Sequence, residues 1–468
     1  MILGFSEGFH DAAIAIVDEN GNIVHASHSE RSSGVKHDKM VSAWQQEYVK
    51  QYDLSDIAFY ERPLIKKTRQ FYAGQYNTVL SKREMSFKPT KYYNHHLSHA
   101  AAAFSTSPYH EAACIVVDSI GEWDTVSIWS AHYDHNHKAV YKKVYNMRYP
   151  QSVGLWYSAL TKYVGLKPLD EEYIFMGMAG FGEYNEYLIS ELNRRLFDSN
   201  NHRGIPAGTF GNFSGEDIAH NAQILLEQVL KMLFHIAKDY SNNICYGGGV
   251  ALNCVANGKL MKDFSNVWIM PNPGDAGAAL GAAALAYGGK LNWKHPYLGR
   301  KISGAVNPAW VAEYLEFNKV CGVANGAAEF GPRALGNRSL LADPRDPNIK
   351  DLMNNFKRRQ MFRPFAPAIL EEHANQYFDG ITTRYMSTTA RCKFPEQFPG
   401  IVHVDGSSRV QVVEKSSRSV LREILEAWYA KTGCPMLLNT SLNIMGKPMV
   451  DTKEDAVEFS KLYGVEVF

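Results

Sequence analysis

The chain is short of cysteine, short of net charge and without a long apolar run. Its six cysteines (Cys114, Cys245, Cys254, Cys321, Cys392 and Cys434) contain no Cys-x-x-Cys pair, and six in 468 residues are too sparse for a disulfide framework. A formal net charge of +1 gives no bulk reason to seek DNA or a membrane surface as partner. No apolar stretch approaches the roughly 20 residues that cross a bilayer. The start, Met1-Ile2-Leu3-Gly4-Phe5-Ser6, reads as a strand and lacks the charged and apolar regions of a signal peptide. A reducing cytoplasm is the expected home. Internal repeats and low-complexity tracts are also missing.

What remains is the composition of an ordinary globular protein, long enough for two or three domains. Ala12 to Val17 and Ile23 to Ala26 read as strands joined at the turn signal Asn20-Gly21. Ala112 to Val117 and Val126 to Trp129 read as further strands. Helical spacing over Ile218 to Tyr240 places Leu225, Leu226, Val229, Leu230, Leu233 and Ile236 on one side. A strand near Ile244 runs into Gly247-Gly248-Gly249, and small residues from Ala276 to Tyr287 form a helix. Strand pairs and crossover helices in this order suggest an α/β, actin-like ATPase core over residues 1–295. Pro296, Gly299 and Gly304 mark a linker to a second α/β domain over 296–468. That domain has a helix from Ser417 to Lys431, a strand at Pro435 to Leu438, and a Thr452/Asp455 capping box before the last helix.

Two segments of the second domain spend many cations on turn-prone backbone. One is Glu329-Phe330-Gly331-Pro332-Arg333-Ala334-Leu335-Gly336-Asn337-Arg338-Ser339, and the other is Lys357-Arg358-Arg359-Gln360-Met361-Phe362-Arg363-Pro364-Phe365. Arginine is favoured where a planar fork must hold phosphate or carboxylate. A solvated helix face would scatter such charges among acids, yet no acid lies between Lys357 and Arg363. The reading is an anion pocket; a structural salt-bridge cluster is its rival.

His95 and His99 stand four apart, so a helix would present both imidazoles on one face, ready to share a metal. Asp118 ends an apolar strand, and Asp275 stands at a helix start. Two His and two Asp form a coherent metal-ligand set. In the plain alternative Asp118 sits in a turn and Asp275 is an N-cap. His96 points elsewhere on this reading. Gly247-Gly248-Gly249-Val250-Ala251-Leu252-Asn253 is neither a dinucleotide fingerprint nor a Walker loop, which speaks against a dehydrogenase or P-loop NTPase. Its glycines let backbone N–H groups approach a phosphate, and Asn253 can bond a nucleotide sugar; a tight packing turn is the rival.

These blocks closely resemble the O-carbamoyltransferases of nodulation-factor and antibiotic-tailoring type, over almost the whole chain. The resemblance implies a YrdC-like second domain that makes carbamoyl adenylate from carbamoyl phosphate and ATP (with magnesium). It implies a first domain, similar to the threonylcarbamoyladenosine-modifying ATPase, that passes the carbamoyl group to a hydroxyl. It places metal ligands at His95, His99, Asp118 and Asp275, with iron as the metal. His10 of His10-Asp11 would face the acceptor and orient or deprotonate its hydroxyl. Arg333, Arg338, Lys357, Arg359, Arg363, Ser441 and Asn443 would hold carbamoyl phosphate and ATP, with Arg333, Lys357 and Arg359 acting in catalysis. Gly247, Gly248, Gly249 and Asn253 would hold the adenylate in the first domain. The pattern departs at Gly326-Ala327-Ala328-Glu329, which lacks one cation, and at Gln360, Ile174 and Ser119. The chain is also shorter than typical members, and the missing length is expected in first-domain loops.

For the acceptor, residues 62–93 are suggestive. Arg62, Lys66, Lys67, Arg69, Lys82, Arg83, Lys88 and Lys91 face only Glu84, interleaved with Phe71, Tyr72, Tyr76, Phe87, Tyr92 and Tyr93. Cations that track phosphates beside aromatics that stack bases suit nucleic acid. The leading expectation is a hydroxymethylated pyrimidine in DNA or a nucleotide. The alternatives are a sugar or other small-molecule hydroxyl, or threonylcarbamoyl-adenosine synthesis on tRNA.

Overall fold

A computed structural model describes residues 1–80, 84–443 and 446–468. The chain is α/β and divides into two compact units: Met1–Ser29 with Lys39–Trp293, and Glu30–Asp38 with Lys294–Phe468. A single boundary at 295/296 therefore misses one feature. Residues 30–38 leave the first unit and belong to the second, where the Arg31 guanidinium donates to the Gly331 carbonyl (2.6 Å).

The first unit contains one topology twice. Sheet one runs β3-β2-β1-β4-β5, built from Ile2–Ser6, Ala13–Val17, Ile23–His28, Asp56–Phe59 and Lys91–Tyr92. Sheet two runs β10-β9-β6-β7-β8, from Glu111–Gly121, Asp124–Tyr133, Ala139–Arg148, Ile244–Gly247 and Val267–Trp268. In each sheet the first three strands in sequence pair antiparallel, and the fourth and fifth add in parallel on the other side of the first. Strand β6 is buried on both faces, as its unbroken apolar run requires. Ile115 and Val117 pack with Trp156, Leu226 and Leu230, while Cys114 and Val116 pack with Ala100, Ala103 and Phe104.

Each half ends in a helix that packs on the other half's sheet. His95–Thr106 covers β6 and β9, and Asp275–Tyr287 covers β1 and β2. The two helices also cross each other. Their composition explains how. Asp275–Tyr287 is largely Ala and Gly, and a Cβ added at Gly281 would lie 1.7 Å from the Ser98 carbonyl oxygen. A Cβ at Gly4 of β1 would meet the Ala279 carbonyl at 2.1 Å. Only bare backbone permits both approaches.

The second unit is built on a five-stranded sheet. Its order is Val320–Ala324, Arg338–Ala342, Met436–Ser441, Ala366–Leu370 and Gln411–Val413, antiparallel except for the last pair. Its core joins these strands to the helices Pro308–Asn318, Leu421–Thr432 and Lys453–Tyr463. Two local expectations shift. The helix expected from Ser417 begins at Leu421, because Ser419 accepts a hydrogen bond from the Leu421 N–H in a turn. The strand expected to end at Leu438 continues through Ser441, paired with Arg338–Ala342.

Gly281→Ala tests the crossing. Alanine's helix preference favours the folded state by about 1 kcal/mol. A backbone carbonyl cannot swing aside as a side chain can, so overpacking dominates and the net loss is about 1–3 kcal/mol. The urea midpoint should fall; an unchanged or raised midpoint contradicts the crossing.

Candidate metal centre and anion pocket

In the first unit the helix crossing brings four distant residues together. His95 and His99 occupy the first two turns of their helix, whose N-terminus is capped by the Asn94 side chain bonding the Leu97 N–H. Asp118 lies on β6, just past Val117, where regular pairing with β7 breaks. Asp275 is the first residue of its helix, and Gly274, not Asp275, takes the N-cap position. Neither carboxylate therefore has the plain role that the sequence allowed.

One ligand atom from each of the four residues lies within 4.8 Å of the others, and all four residues are buried. His95 Nε2 stands 3.1 Å from Asp118 Oδ2 and 3.2 Å from His99 Nε2. Asp275 Oδ1 is 3.2 Å from His99 Nε2 and 3.5 Å from His95 Nε2. Four ligands at zinc-like bond lengths around one cation are separated by about 3.4 Å when tetrahedral. The tautomers fit as well. His99 Nδ1 lies 3.1 Å from the Pro273 carbonyl, which can only accept, so Nδ1 carries the proton and Nε2 offers its lone pair to the cluster. Burial works against a charged His95, but Asp275, Asp118 and Glu61 outweigh it and raise its pKa well above the usual imidazole value. Burial opposes the ionised form of Asp275 too, yet His95, His99 and His10 hold its pKa well below the carboxylate range.

His96 does point elsewhere. Its Nδ1 bonds Ser127 Oγ at 2.8 Å, and burial drives its pKa down to about 3. His10 Nδ1 bonds the Asp11 carboxylate at 2.9 Å. Burial opposes its charge, but Asp11, Asp275 and Asp118 together raise its pKa.

The glycine turn has other commitments. Gly248 has φ of +88°, and a Cβ there would strike the Val117 carbonyl at 2.2 Å. The Gly249 N–H donates to Asp118 Oδ1 at 3.3 Å, which orients that carboxylate. A short turn over Gly249–Leu252 follows, and the helix begins only at Cys254, with Asn253 as N-cap. Asn253 Oδ1 accepts from the Ala256 N–H, and its amide is paired with Gln223. The side chain expected to bond a nucleotide sugar is occupied inside the protein.

In the second unit the structure gathers Lys357, Ser441 and Asn443. Buried Lys357 donates from Nζ to the Ser441 carbonyl, to Ser441 Oγ (3.0 Å) and to Asn443 Oδ1 (2.6 Å). Burial, Arg359 and Arg363 push its pKa well below the ordinary lysine value. Repulsion from the two guanidinium groups is part of that lowering, so an anion bound here would favour the charged lysine. Arg359 is braced by Asn354 Oδ1 at 2.7 Å and stacks over Phe365 at 4.3 Å. Arg333 sits half-buried on its loop.

Arg338 corrects the expectation that it binds phosphate. It is fully buried and donates to the carbonyls of Asn325, Gly326, Asn337 and Arg300. Burial lowers its pKa to about 10. Four backbone acceptors make it a brace for the loop. Glu329 was not anticipated: its Oε1 accepts the N–H groups of Leu335, Asn337 and Arg338, and so shapes the loop that carries Arg333. A lone Glu before Phe-Gly-Pro-Arg gives no sequence signal of that role.

The basic stretch 62–93 is also corrected. Arg62 pairs with Glu122, Lys66 with Glu61 (2.7 Å), and Lys91 with Asp56 (3.0 Å). Arg69 is buried and donates to the Glu122 carbonyl. Phe87 and Tyr93 pack into the core, leaving Phe71, Tyr72, Tyr76 and Tyr92 exposed. Lys82 and Arg83 lie outside the described residues. The acids that neutralise this stretch come from elsewhere in sequence, so counting charges within it overstates a phosphate-binding face. No helix among the described residues is long and apolar enough to cross a membrane.

Two family models match the chain: "Carbamoyltransferase N-terminus" over residues 58–212 and 196–284, and "Carbamoyltransferase C-terminus" over 312–468. An uncharacterised protein of Synechocystis sp. is 32% identical over 97% of this chain and 93% of its own length. Nodulation protein NolNO of Sinorhizobium fredii is 29% identical over 96% of this chain and 76% of its own. Nodulation protein NolO of Bradyrhizobium diazoefficiens is 30% identical over 78% and 75%. The Synechocystis alignment spans 578 positions, more than the chain holds, so the relative has internal segments that this chain lacks. The two N-terminal matches overlap at residues 196–212, just before the long helix Gly215–Lys238. Among solved structures, full-length HypF in its phosphate- and nucleotide-bound form aligns over 61% of this chain and 46% of its own, at 12% identity and a TM-score of 0.35.

His99→Ala should weaken divalent-metal binding by more than the roughly 10- to 100-fold that loss of an outer-sphere partner costs. Equilibrium dialysis with metal analysis checks this, and wild-type retention in the variant contradicts the site.

Proposed function

The chain belongs to the carbamoyltransferase family, and we propose that it is an ATP-dependent O-carbamoyltransferase with divided labour. The second unit, read as YrdC-like, would release inorganic phosphate from carbamoyl phosphate with water and join the resulting carbamate oxygen to the α-phosphorus of ATP, pyrophosphate leaving, with magnesium on the nucleotide. The first unit, read as actin-like from its duplicated sheets, moves that group to an acceptor hydroxyl. The observation that carries the reading is the convergence of His95, His99, Asp118 and Asp275 from three separate elements.

Lys357, Arg359 and Arg363 would neutralise phosphate charge that builds during adenylate formation, with Ser441 and Asn443 holding Lys357 in place. Arg333 would contribute from the neighbouring loop. In the transfer step the acceptor oxygen bonds to the carbamoyl carbon. The anhydride bond to AMP breaks, and its electron pair stays on the phosphate oxygen. The hydroxyl proton needs a base. His10 Nδ1 is held by Asp11, so Nε2 is the nitrogen that can take it. A divalent cation on the four ligands, iron by the family resemblance, would supply Lewis-acid polarisation of an oxygen of the carbamoyl donor. The Gly247–Gly249 turn would act through its backbone and through Asp118.

Internal pairing of Arg62, Lys66, Arg69 and Lys91 favours a small hydroxyl compound, such as a sugar, over a DNA polymer as acceptor. Product formation should then show little dependence on salt, since few phosphates are neutralised on binding.

The assignment is tested by pyrophosphate release with ATP and carbamoyl phosphate. Arg359→Ala should slow it about 30- to 1000-fold, the effect of losing roughly 2–4 kcal/mol from a charge-assisted contact. A folded variant with normal release contradicts the pocket. A second expectation concerns pH. His10 must be neutral to accept a proton, and its pKa is raised, so transfer should increase as pH rises through that pKa. Asp11→Asn removes the bonded carboxylate and should move the midpoint of the transfer profile to lower pH. A profile that does not move argues against His10 as the base.

A further inference from the structure

We propose that Glu61 is the positioning carboxylate for the metal ligand His95, and that Lys66 serves Glu61 and not a phosphate. This rests on the reading of His95, His99, Asp118 and Asp275 as a metal site. The two imidazoles of that set are held unequally. His99 Nδ1 has a carbonyl partner, Pro273, at 3.1 Å. His95 Nδ1 is buried and makes no hydrogen bond. Facing it at 3.7 Å is Glu61 Oε2, two residues past the end of β4 at Phe59.

The geometry around His95 leaves little choice of tautomer. Nε2 faces Asp118, Asp275 and His99, so it must present a lone pair to any cation there. The proton then sits on Nδ1, directed at the Glu61 carboxylate. A shift of a few tenths of an ångström brings the pair within hydrogen-bond distance. Metal-bound imidazoles usually donate their second N–H to a carboxylate or carbonyl, which fixes ring orientation and raises ligand basicity. Pro273 supplies the carbonyl version on His99, and Glu61 supplies the carboxylate version on His95.

Glu61 is itself nearly buried, at 4% exposure, and a bare carboxylate there would be costly. Lys66 removes that cost. It lies a little over one turn further on, in the helix Pro63–Tyr72, and its Nζ reaches Glu61 Oε1 at 2.7 Å. One carboxylate oxygen therefore answers lysine and the other answers histidine. The same strand end fixes the histidine helix, because the Tyr60 carbonyl accepts a hydrogen bond from Ser98 Oγ at 2.9 Å.

Cobalt(II) is a suitable probe, because its visible spectrum reports both occupancy and coordination. Full-length wild type, Glu61→Gln and Glu61→Asp would be titrated against a competing chelator, with folding checked by circular dichroism. Wild type should bind one Co(II). Glu61→Gln should bind about 10- to 100-fold more weakly. Glu61→Asp keeps the charge and should retain more affinity than the Gln variant. A packing role predicts the reverse order, since Gln preserves the shape and Asp does not. Gln affinity equal to wild type, or Asp weaker than Gln, overturns the assignment of Glu61. If Gln fails to fold, Asp alone decides: affinity within a few-fold of wild type supports the proposal, and a loss beyond about 100-fold overturns it. Failure of wild type to bind Co(II) overturns the metal reading itself, a separate outcome.

Discussion

The close crossing of two helices governs the first unit. His95–Thr106 and Asp275–Tyr287 approach until the Gly281 backbone has no room for a side chain against Ser98. That approach sets Asp275 beside His99, although 176 positions separate them in the chain. Burial then makes the electrostatics strong. Two carboxylates and two imidazoles in a buried cluster interact far more strongly than they would in water. The site is organised by a packing constraint first and by charge second.

Around these four side chains lies a layer of groups that fix their orientation. The Pro273 carbonyl sets the His99 tautomer, the Gly249 N–H holds Asp118, and Glu61 faces His95. The second unit follows the same logic with opposite sign. Glu329 gathers three backbone N–H groups, Arg338 gathers four carbonyls, and the loop between them carries Arg333. Buried charge in this protein is spent on holding loops and side chains in position.

Part of this was legible in the sequence. The i, i+4 spacing of His95 and His99 predicted a shared helix face, and the helix is there. The neighbours of Asp118 and Asp275 state a strand end and a helix start, which left a turn and an N-cap open beside the metal reading; the family resemblance is what pairs the two with the histidines. Arg338 misled because residue type cannot tell a guanidinium that meets phosphate from one that meets backbone carbonyls. The stretch 62–93 misled for a related reason: its neutralising partners, Glu122 and Asp56, lie outside it. Glu61 stands just before the basic stretch and carries no sequence mark of its role. Only the folded chain shows that it faces His95. Residues 30–38 likewise give no compositional sign that they join the second unit.

The central claim is that adenylate formation and carbamoyl transfer use different residues of one chain. Asp275→Asn, supplied with ATP, carbamoyl phosphate and a competent acceptor, tests it most directly when both half-reactions are followed together. Pyrophosphate release reports the first, and the mass of the acceptor reports the second. The account predicts pyrophosphate release near the wild-type rate with transfer reduced by two orders of magnitude or more, about 3 kcal/mol in the barrier. Equal loss of both in a folded variant, or transfer at the wild-type rate, would contradict it.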